Sequence, residues 1–554
     1  MGQRRMKATM IRRLLPLALA ATTLSAEPAA ATTGPVVDAP AGKVQGNEAK
    51  GIRTFKGIPY AAPPVGKLRW TPPQPVPDWQ DVRDSTKFGA ACLQPKPRSP
   101  SIYAWDLPAM SEDCLSLNIW APDNVTRAPV FVWIHGGSLT TGSGGDPLYD
   151  GSALAARGMI VVSINYRLGA LGYLAHPGLS AESPEGVSGN YGLLDQIAAL
   201  EWVKRNIGAF GGDADNVTIA GESAGALSVM YLMTAPGARG LFDKAIAESA
   251  YMVSAPALRE KRNGMIPAEQ QGTDLATKLG AADLVALRAM SAEEIADKAP
   301  ATGFFPFPLI DGKTVPHQLV ESFDRNEQAP VPILAGFNAG EIRSLRFLLP
   351  KTPDNADAYE AAIRANYGEF ADAYLSRYPA KNMEESMLAA TRDAMYGWTS
   401  ERLVSNQAAL GKPAYLYLFD HGYPATQEWK LHAFHAAELP FVFDTAGKTP
   451  PLWPKIPNKL SERKLTAAMG DYWASFARNG VPRAKNQPDW LPYSRNKAFM
   501  HFGDVPRLRR NLFPGTAALH EAVVCRRRAA GDIAWNWNIG IISPPLPPKI
   551  EECQ

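Results

Sequence analysis

The chain has 554 residues, 46% of them hydrophobic and 20% charged, with 57 Lys and Arg against 54 Asp and Glu. Such composition is globular: it excludes disordered, collagen-like and multi-span membrane chains, and a surplus of three charges offers no basic stripe to a nucleic acid. The length accommodates either several domains of about 150 residues or one large α/β unit.

Residues 1–31 carry five basic residues, Arg4, Arg5, Lys7, Arg12 and Arg13, against the single acid Glu27, and the apolar run Leu14 to Ala21 follows. A basic start, a short apolar stretch and small residues are the pattern of a secretory signal peptide, with cleavage expected after Ala26 or Ala31. The apolar run is far short of the roughly 20 residues of a spanning helix, so no stable membrane anchor is expected after processing. Residues 1–31 carry a net charge of +4, which leaves residues 32–554 at −1, and the leader implies a secreted or periplasmic protein. In that compartment the sequence-close pairs Cys92 with Cys114 and Cys525 with Cys553 are the candidate bridges, against the alternative of buried free thiols.

Beyond the leader, Pro129–Ile134 and Met159–Asn165 read as buried strands, and Leu193–Ile207 as a helix with Leu194, Ile197, Ala198, Trp202 and Val203 on one side. Asn216–Ala220 reads as a short strand and Ala226–Leu232 as a helix. Val331–Gly336 and Ala414–Phe419 are further strands, Glu462–Arg478 a further helix, and Ser543–Pro548 an extended, exposed end. Strands and helices in such alternation predict an α/β fold, a large mostly parallel central sheet with helices on both faces. Ligand sites in these sheets lie at the carboxyl ends of the strands.

Two motifs sit at such ends. Gly221-Glu222-Ser223-Ala224-Gly225 joins a strand to a helix, the setting of a nucleophile elbow, in which the glycines permit a turn that holds Ser223 exposed. His135-Gly136-Gly137-Ser138 follows the strand ending at Ile134, and the N–H groups of Gly137 and Ser138, with that of Ala224, are candidate oxyanion donors; His135 itself reads as packing. A nucleophilic serine needs a base, and the residues alone leave His432 and His435 as candidates.

Several motifs together resemble the type-B carboxylesterase/lipase family of α/β-hydrolases, which includes the cholinesterases. They are Phe55 to Arg69, Ser111 to Ile119, Gly189 to Gln196, Phe210 to Asp213 and the elbow, in that order. The resemblance implies one α/β-hydrolase catalytic domain over residues 32–554 and a serine carboxylic-ester hydrolase that works through an acyl-enzyme on small to medium esters. A lipase for longer acyl chains and a non-catalytic adhesion relative are the alternatives within the family. Its G-x-N-x-x-E motif, here Gly336 to Glu341, implies Glu341 as the triad acid. Its histidine motif, here His435 to Phe443, implies His435 as the base.

The same resemblance implies supporting roles for Glu222 and Glu438, which hold the histidine and nearby water, and for Ser249, which contacts the triad acid. Glu248 and Ala250 stand where the family commonly has Gln and Gly. It also implies a Cys92–Cys114 bridge whose loop overhangs the site, whereas Cys525 and Cys553 have no counterpart in it. Trp105 in that loop, Phe304, and Leu139, which replaces a common phenylalanine, are the implied pocket residues.

Other chemistries lack their residues. Gly312-Lys-Thr and Gly447-Lys-Thr miss the upstream glycine of a phosphate loop, and no H-E-x-x-H motif or clustered His/Cys set offers metal ligands, so neither cofactor nor metal is expected. Arg507, Arg509, Arg510 and Arg526 to Arg528 read as a solvated basic face.

Overall fold

Strand Ala128–Ile134 is buried at every position, and its alternate residues serve two different layers. Val130, Val132 and Ile134 pack in one apolar cluster, whereas Phe131 and Trp133 pack in another. A strand apolar on both faces belongs inside a sheet covered by helices on both sides.

The computed structural model describes residues 34–107, 109–535 and 540–553. The expected signal peptide lies outside these residues. Eleven strands form the main sheet: β1 (Asn47–Ala49), β2 (Ile52–Pro59), β3 (Ser116–Pro122), β4 (Ala128–Ile134), β5 (Ile160–Ile164), β6 (Gly212–Glu222), β7 (Lys244–Glu248), β8 (Ile333–Asn338), β9 (Ala414–Phe419), β10 (Ala498–Phe502) and β11 (Pro506–Arg510). Their spatial order is β11-β10-β9-β8-β7-β6-β4-β5-β3-β2-β1. The pairings from β5 through β4 and β6 to β10 are parallel, and those at both margins are antiparallel. The mostly parallel, doubly covered sheet is therefore present, with antiparallel edges that the strand runs in the sequence did not announce.

Helices α1 (Tyr191–Asn206), α2 (Ala224–Thr234) and α3 (Trp398–Ala409) cover one face, and α4 (Leu460–Asn479) covers the other, inserting Leu465, Met469, Tyr472, Trp473 and Phe476. Helices α1, α2 and α4 match or slightly extend their expected spans, whereas α3 was not expected from the sequence. Further helices, among them Ala356–Tyr367, Ala371–Arg377 and Thr516–Ala530, enclose a cluster built on Tyr359, Tyr367, Tyr374 and Tyr378.

Both sequence-close cysteine pairs are bridged, with Cα atoms 5.0 Å apart for Cys92–Cys114 and 5.6 Å for Cys525–Cys553. Two expectations at the C-terminus need correction. Ser543–Pro548 is not a free extended end: Arg527 Nη2 donates to the Pro544 carbonyl at 2.7 Å, Arg526 donates to that of Pro547, and the second disulfide ties the tail to the helix Thr516–Ala530. Nor are Arg526 and Arg527 a solvated face. Both are buried, because their guanidinium groups are the donors that satisfy the tail's irregular carbonyls, and only Arg507, Arg509 and Arg510 on the edge strand are exposed.

The Cys92–Cys114 bridge closes a loop with a sequence separation of 22. Replacing both cysteines by serine is expected to lower the unfolding free energy by about 3 kcal/mol in the chain-entropy model, read from the urea midpoint and slope together. Gly225 sits at the tightest point of the sheet's carboxyl edge: a Cβ there would lie 2.0 Å from the Ile134 carbonyl oxygen and 3.0 Å from that of His135. Gly225→Ala is expected to cost about 3 kcal/mol by overpacking against backbone, measured the same way.

Candidate active site

The nucleophile candidate stands between β6 and α2. Ser223 has φ 57° and ψ −120°, a strained conformation for a residue with a side chain, and its N–H donates to the Glu248 carbonyl at 2.9 Å. Gly221 and Gly225 make the turn possible by facing each other: a Cβ on Gly221 would sit 2.5 Å from the carbonyl carbon of Gly225. The strain is held in place by two close-packed layers, since Gly225 in turn presses on the end of β4.

The loop after β4 is folded against this elbow. A Cβ on Gly136 would lie 2.8 Å from the Glu222 carbonyl oxygen and 3.2 Å from Ser223 Cβ, so only glycine lets the two loops meet. Gly137 adopts φ 104°, Ser138 and Leu139 both 56°, and the Gly137 carbonyl turns inward to accept from Thr140 N and Thr141 N at 3.0 Å each. The peptide N–H groups of Gly137, Ser138 and Ala224 are bonded to no other group among the described residues. Three free donors beside a nearly buried nucleophile form the kind of pocket that receives a developing oxyanion. His135 is packing, as read: its ring stacks on Tyr166 at 4.5 Å, its Nδ1 lies 2.8 Å from the Gly136 carbonyl, and burial pushes its pKa down to about 4.

The acid and the histidine come from loops that follow β8 and β9. Gly340 N donates to the Ala433 carbonyl at 2.8 Å and Asn338 Nδ2 to that of Phe434 at 2.8 Å, which clamps one loop to the other. Across this clamp His435 Nδ1 meets Glu341 Oε2 at 2.5 Å. The other oxygen of Glu341 accepts from Ser249 Oγ at 2.6 Å and from Asn338 N at 2.8 Å. Glu341 is fully buried, and these bonds replace the water it has lost. His432, the rival candidate, is turned away: its Nε2 pairs with Asp420 Oδ1 at 2.7 Å.

On its free side His435 Nε2 lies 3.1 Å from Glu222 Oε1, and Ser223 Oγ is not hydrogen-bonded among the described residues. Burial alone would push the His435 pKa down, but the carboxylates of Glu222 and Glu341 outweigh it and hold the imidazole above its ordinary range. Glu222 is itself raised, chiefly by burial and in part by Glu341, while His435 opposes the rise. Glu438 accepts from Asn338 Nδ2 at 2.5 Å, and burial followed by the nearby carboxylates holds it well above the carboxylate range.

The pocket residues implied by the sequence are scattered. Leu139 is 1% exposed and packs in the apolar core, and Trp105 packs against the cluster on the α4 face. Phe304 lines a cleft with Gln94, Thr140 and Gly169. Nearer the base stand two tyrosines that no sequence signal marked. Tyr103 donates its hydroxyl to Ser344 Oγ at 2.7 Å and lies 3.0 Å from the His435 carbonyl; the ring of Tyr396 lies 5.5 Å from that of His435. Tyr396 comes from the π-helical segment Asp393–Gly397, a local widening that often marks functional sites. Asn338 was visible only as the middle of the G-x-N-x-x-E motif.

Removing the carboxylate beside Nε2 removes a charge that favours imidazolium, so the neutral base appears at lower pH. Glu222→Gln is expected to move the acid limb of kcat/KM for an ester downward by about one pH unit, measured over a buffered pH series.

Comparison with known proteins agrees with this geometry. The profile of the carboxylesterase family matches residues 33–518. The chain is 38% identical over 481 residues to the fumonisin B1 esterase of Sphingopyxis macrogoltabida, covering 83% of this chain and 85% of that protein. It is 37% identical over 474 residues to the para-nitrobenzyl esterase of Bacillus subtilis (strain 168), covering 83% and 93%. A solved thermophilic PNB esterase superimposes with a TM-score of 0.75 at 33% identity, covering 88% of this chain and all of that one. A serine elbow, a buried carboxylate–imidazole pair and this kinship over most of the sequence lead to one conclusion: the chain belongs to the carboxylesterase family, has the α/β-hydrolase fold and is a carboxylic-ester hydrolase.

Proposed function

We propose that Ser223, His435 and Glu341 act as a catalytic triad on small to medium carboxylic esters. The observation that carries this reading is the 2.5 Å contact between His435 Nδ1 and Glu341 Oε2, with the second carboxylate oxygen bonded to Ser249 and Asn338. Those bonds fix the tautomer that leaves Nε2 as the proton acceptor. In the reaction Nε2 leaves Glu222 and takes the Ser223 proton as Oγ attacks the ester carbonyl. The N–H groups of Gly137, Ser138 and Ala224 receive the oxyanion, and His435 then protonates the departing alcohol. Water, activated by the same imidazole, cleaves the acyl-enzyme.

Ser223 is only 8% exposed, which favours a small ester that can enter over a lipid at an interface. Relatives named for fumonisin B1 and para-nitrobenzyl esters support the same substrate scale. We read residues 32–554 as a single catalytic domain. Residues 1–31 are read as an export signal, and the two disulfides support a secreted or periplasmic enzyme.

Ser223→Ala is expected to reduce turnover of p-nitrophenyl butyrate by at least about 1,000-fold, with circular dichroism and urea midpoint close to those of the parent. Activity within tenfold of the parent would remove Ser223 from the mechanism.

A further inference from the structure

Behind His435 the sheet carries a second row of acid that the triad does not use. Glu222 on β6 and Glu248 on β7 are register partners at the carboxyl edge, and Glu248 is in turn the partner of Gly336 on β8, and Gly336 that of Tyr417 on β9. Partners in adjacent parallel strands present their side chains on the same face. Here that face is the one covered by α4, where Ala220, Ile246 and Leu334, two positions earlier on each strand, are packed. Gly336 leaves a gap into which Tyr417 leans: a Cβ there would lie 2.3 Å from Tyr417 Cδ1.

Glu248 is 0% exposed, and a single donor reaches it, the indole N–H of Trp473 on α4, at 2.8 Å from Oε1. Among the described residues its Oε2 has no hydrogen-bond partner, nor has Glu438 Oε1, and Glu222 Oε1 has only the imidazole Nε2 at 3.1 Å. The titratable groups facing this spot are Glu222 from β6, Glu341 and His435 from the two active-site loops, Glu438 after the histidine, Tyr417 from β9, and, around Glu222, Tyr103, Tyr149, Tyr251 and Tyr396. No lysine or arginine is among them. Neighbouring carboxyl groups sealed from water with one imidazole between them cannot all ionise, so protons must be retained on some of them.

We infer that Glu248 is a positioning residue for the base: it retains a proton beside Glu222 and thereby sets the negative charge that the pair presents to His435. The choice of Glu248 follows from its place. It lies beside Glu222 in the ladder and its only donor is a neutral indole, whereas Glu222 has the imidazole at 3.1 Å to favour its ionised form. While Glu248 keeps the proton, one negative charge faces Nε2. When that proton leaves to solvent at higher pH, a second negative charge stands beside Glu222, imidazolium is held more tightly, and less neutral His435 is available to Ser223. The direction of the Glu248 titration agrees, raised first by burial and further by Glu222 while the Trp473 bond opposes it.

This inference rests on His435 being the base, and the test separates the two. Glu248→Gln keeps an acceptor for Trp473 and places beside Glu222 an amide that never ionises. Gln mimics the protonated acid, so the foot of the acid limb of kcat/KM for p-nitrophenyl butyrate is expected to match the parent, whereas nearer its top, where the parent's Glu248 loses its proton, the variant is expected to be about threefold more active. In a Glu222→Gln background the same change should leave the limb where Glu222→Gln alone puts it. Infrared difference spectra of the resting enzyme should show a protonated-carboxyl C=O band that bleaches as pH rises, with one component absent in Glu248→Gln. Superimposable pH profiles for the folded Glu248→Gln enzyme and its parent overturn the proposal, as does an infrared band unchanged by the substitution. Failure of the triad reading would appear instead as ester turnover that survives Ser223→Ala, a result on which the infrared band does not depend.

Discussion

The close approach of three backbone segments at the carboxyl edge of the sheet is the constraint on which the site depends. Gly225 at the start of α2 lies against the carbonyls of Ile134 and His135, and Gly136 lies against Glu222 and Ser223. These contacts bring a strained serine and a set of free peptide N–H groups into one small volume. A side chain on either glycine would separate nucleophile from oxyanion donors, because what it meets is backbone that cannot rotate away. The tertiary packing of β4 against β6 thus supplies both the strain and the reason it persists.

Electrostatics supplies the second layer. Glu341 is fully buried yet both its oxygens have partners, in Ser249, Asn338 and His435. Glu248 and Glu438 each keep an oxygen without a hydrogen-bond partner among the described residues, and Glu222 Oε1 has only the imidazole, so their charge is negotiable. The difference lies in donors rather than depth: all four are buried, but only Glu341 sits where two loops are clamped together. A site with one fixed and several adjustable carboxyl groups can hold a histidine in place while leaving its proton affinity open to adjustment.

The periphery follows simpler rules. Irregular backbone near the C-terminus is tolerated because Arg526 and Arg527 give up solvent to satisfy its carbonyls, and because the Cys525–Cys553 bridge limits how far it can move. Read as a string, three consecutive arginines suggest a charged surface. In the fold two of them are buried, since helical spacing turns neighbouring residues in different directions and one direction faces the tail.

Local patterns by themselves determined the parallel strands, the principal helices and the elbow, because each depends on residues adjacent in the chain: an apolar run, a 3.6-residue period, glycines two positions from a serine. They left two histidines as candidate bases, and family resemblance pointed to His435. Tertiary structure alone decided that Glu341 meets His435 while His432 turns to Asp420. It also placed Tyr103 and Tyr396 beside the base, and Glu248 beside Glu222. The reason is distance along the chain. Glu248 and Tyr396 neighbour residues far from them in sequence, and only strand register and loop docking bring such groups within reach of one another.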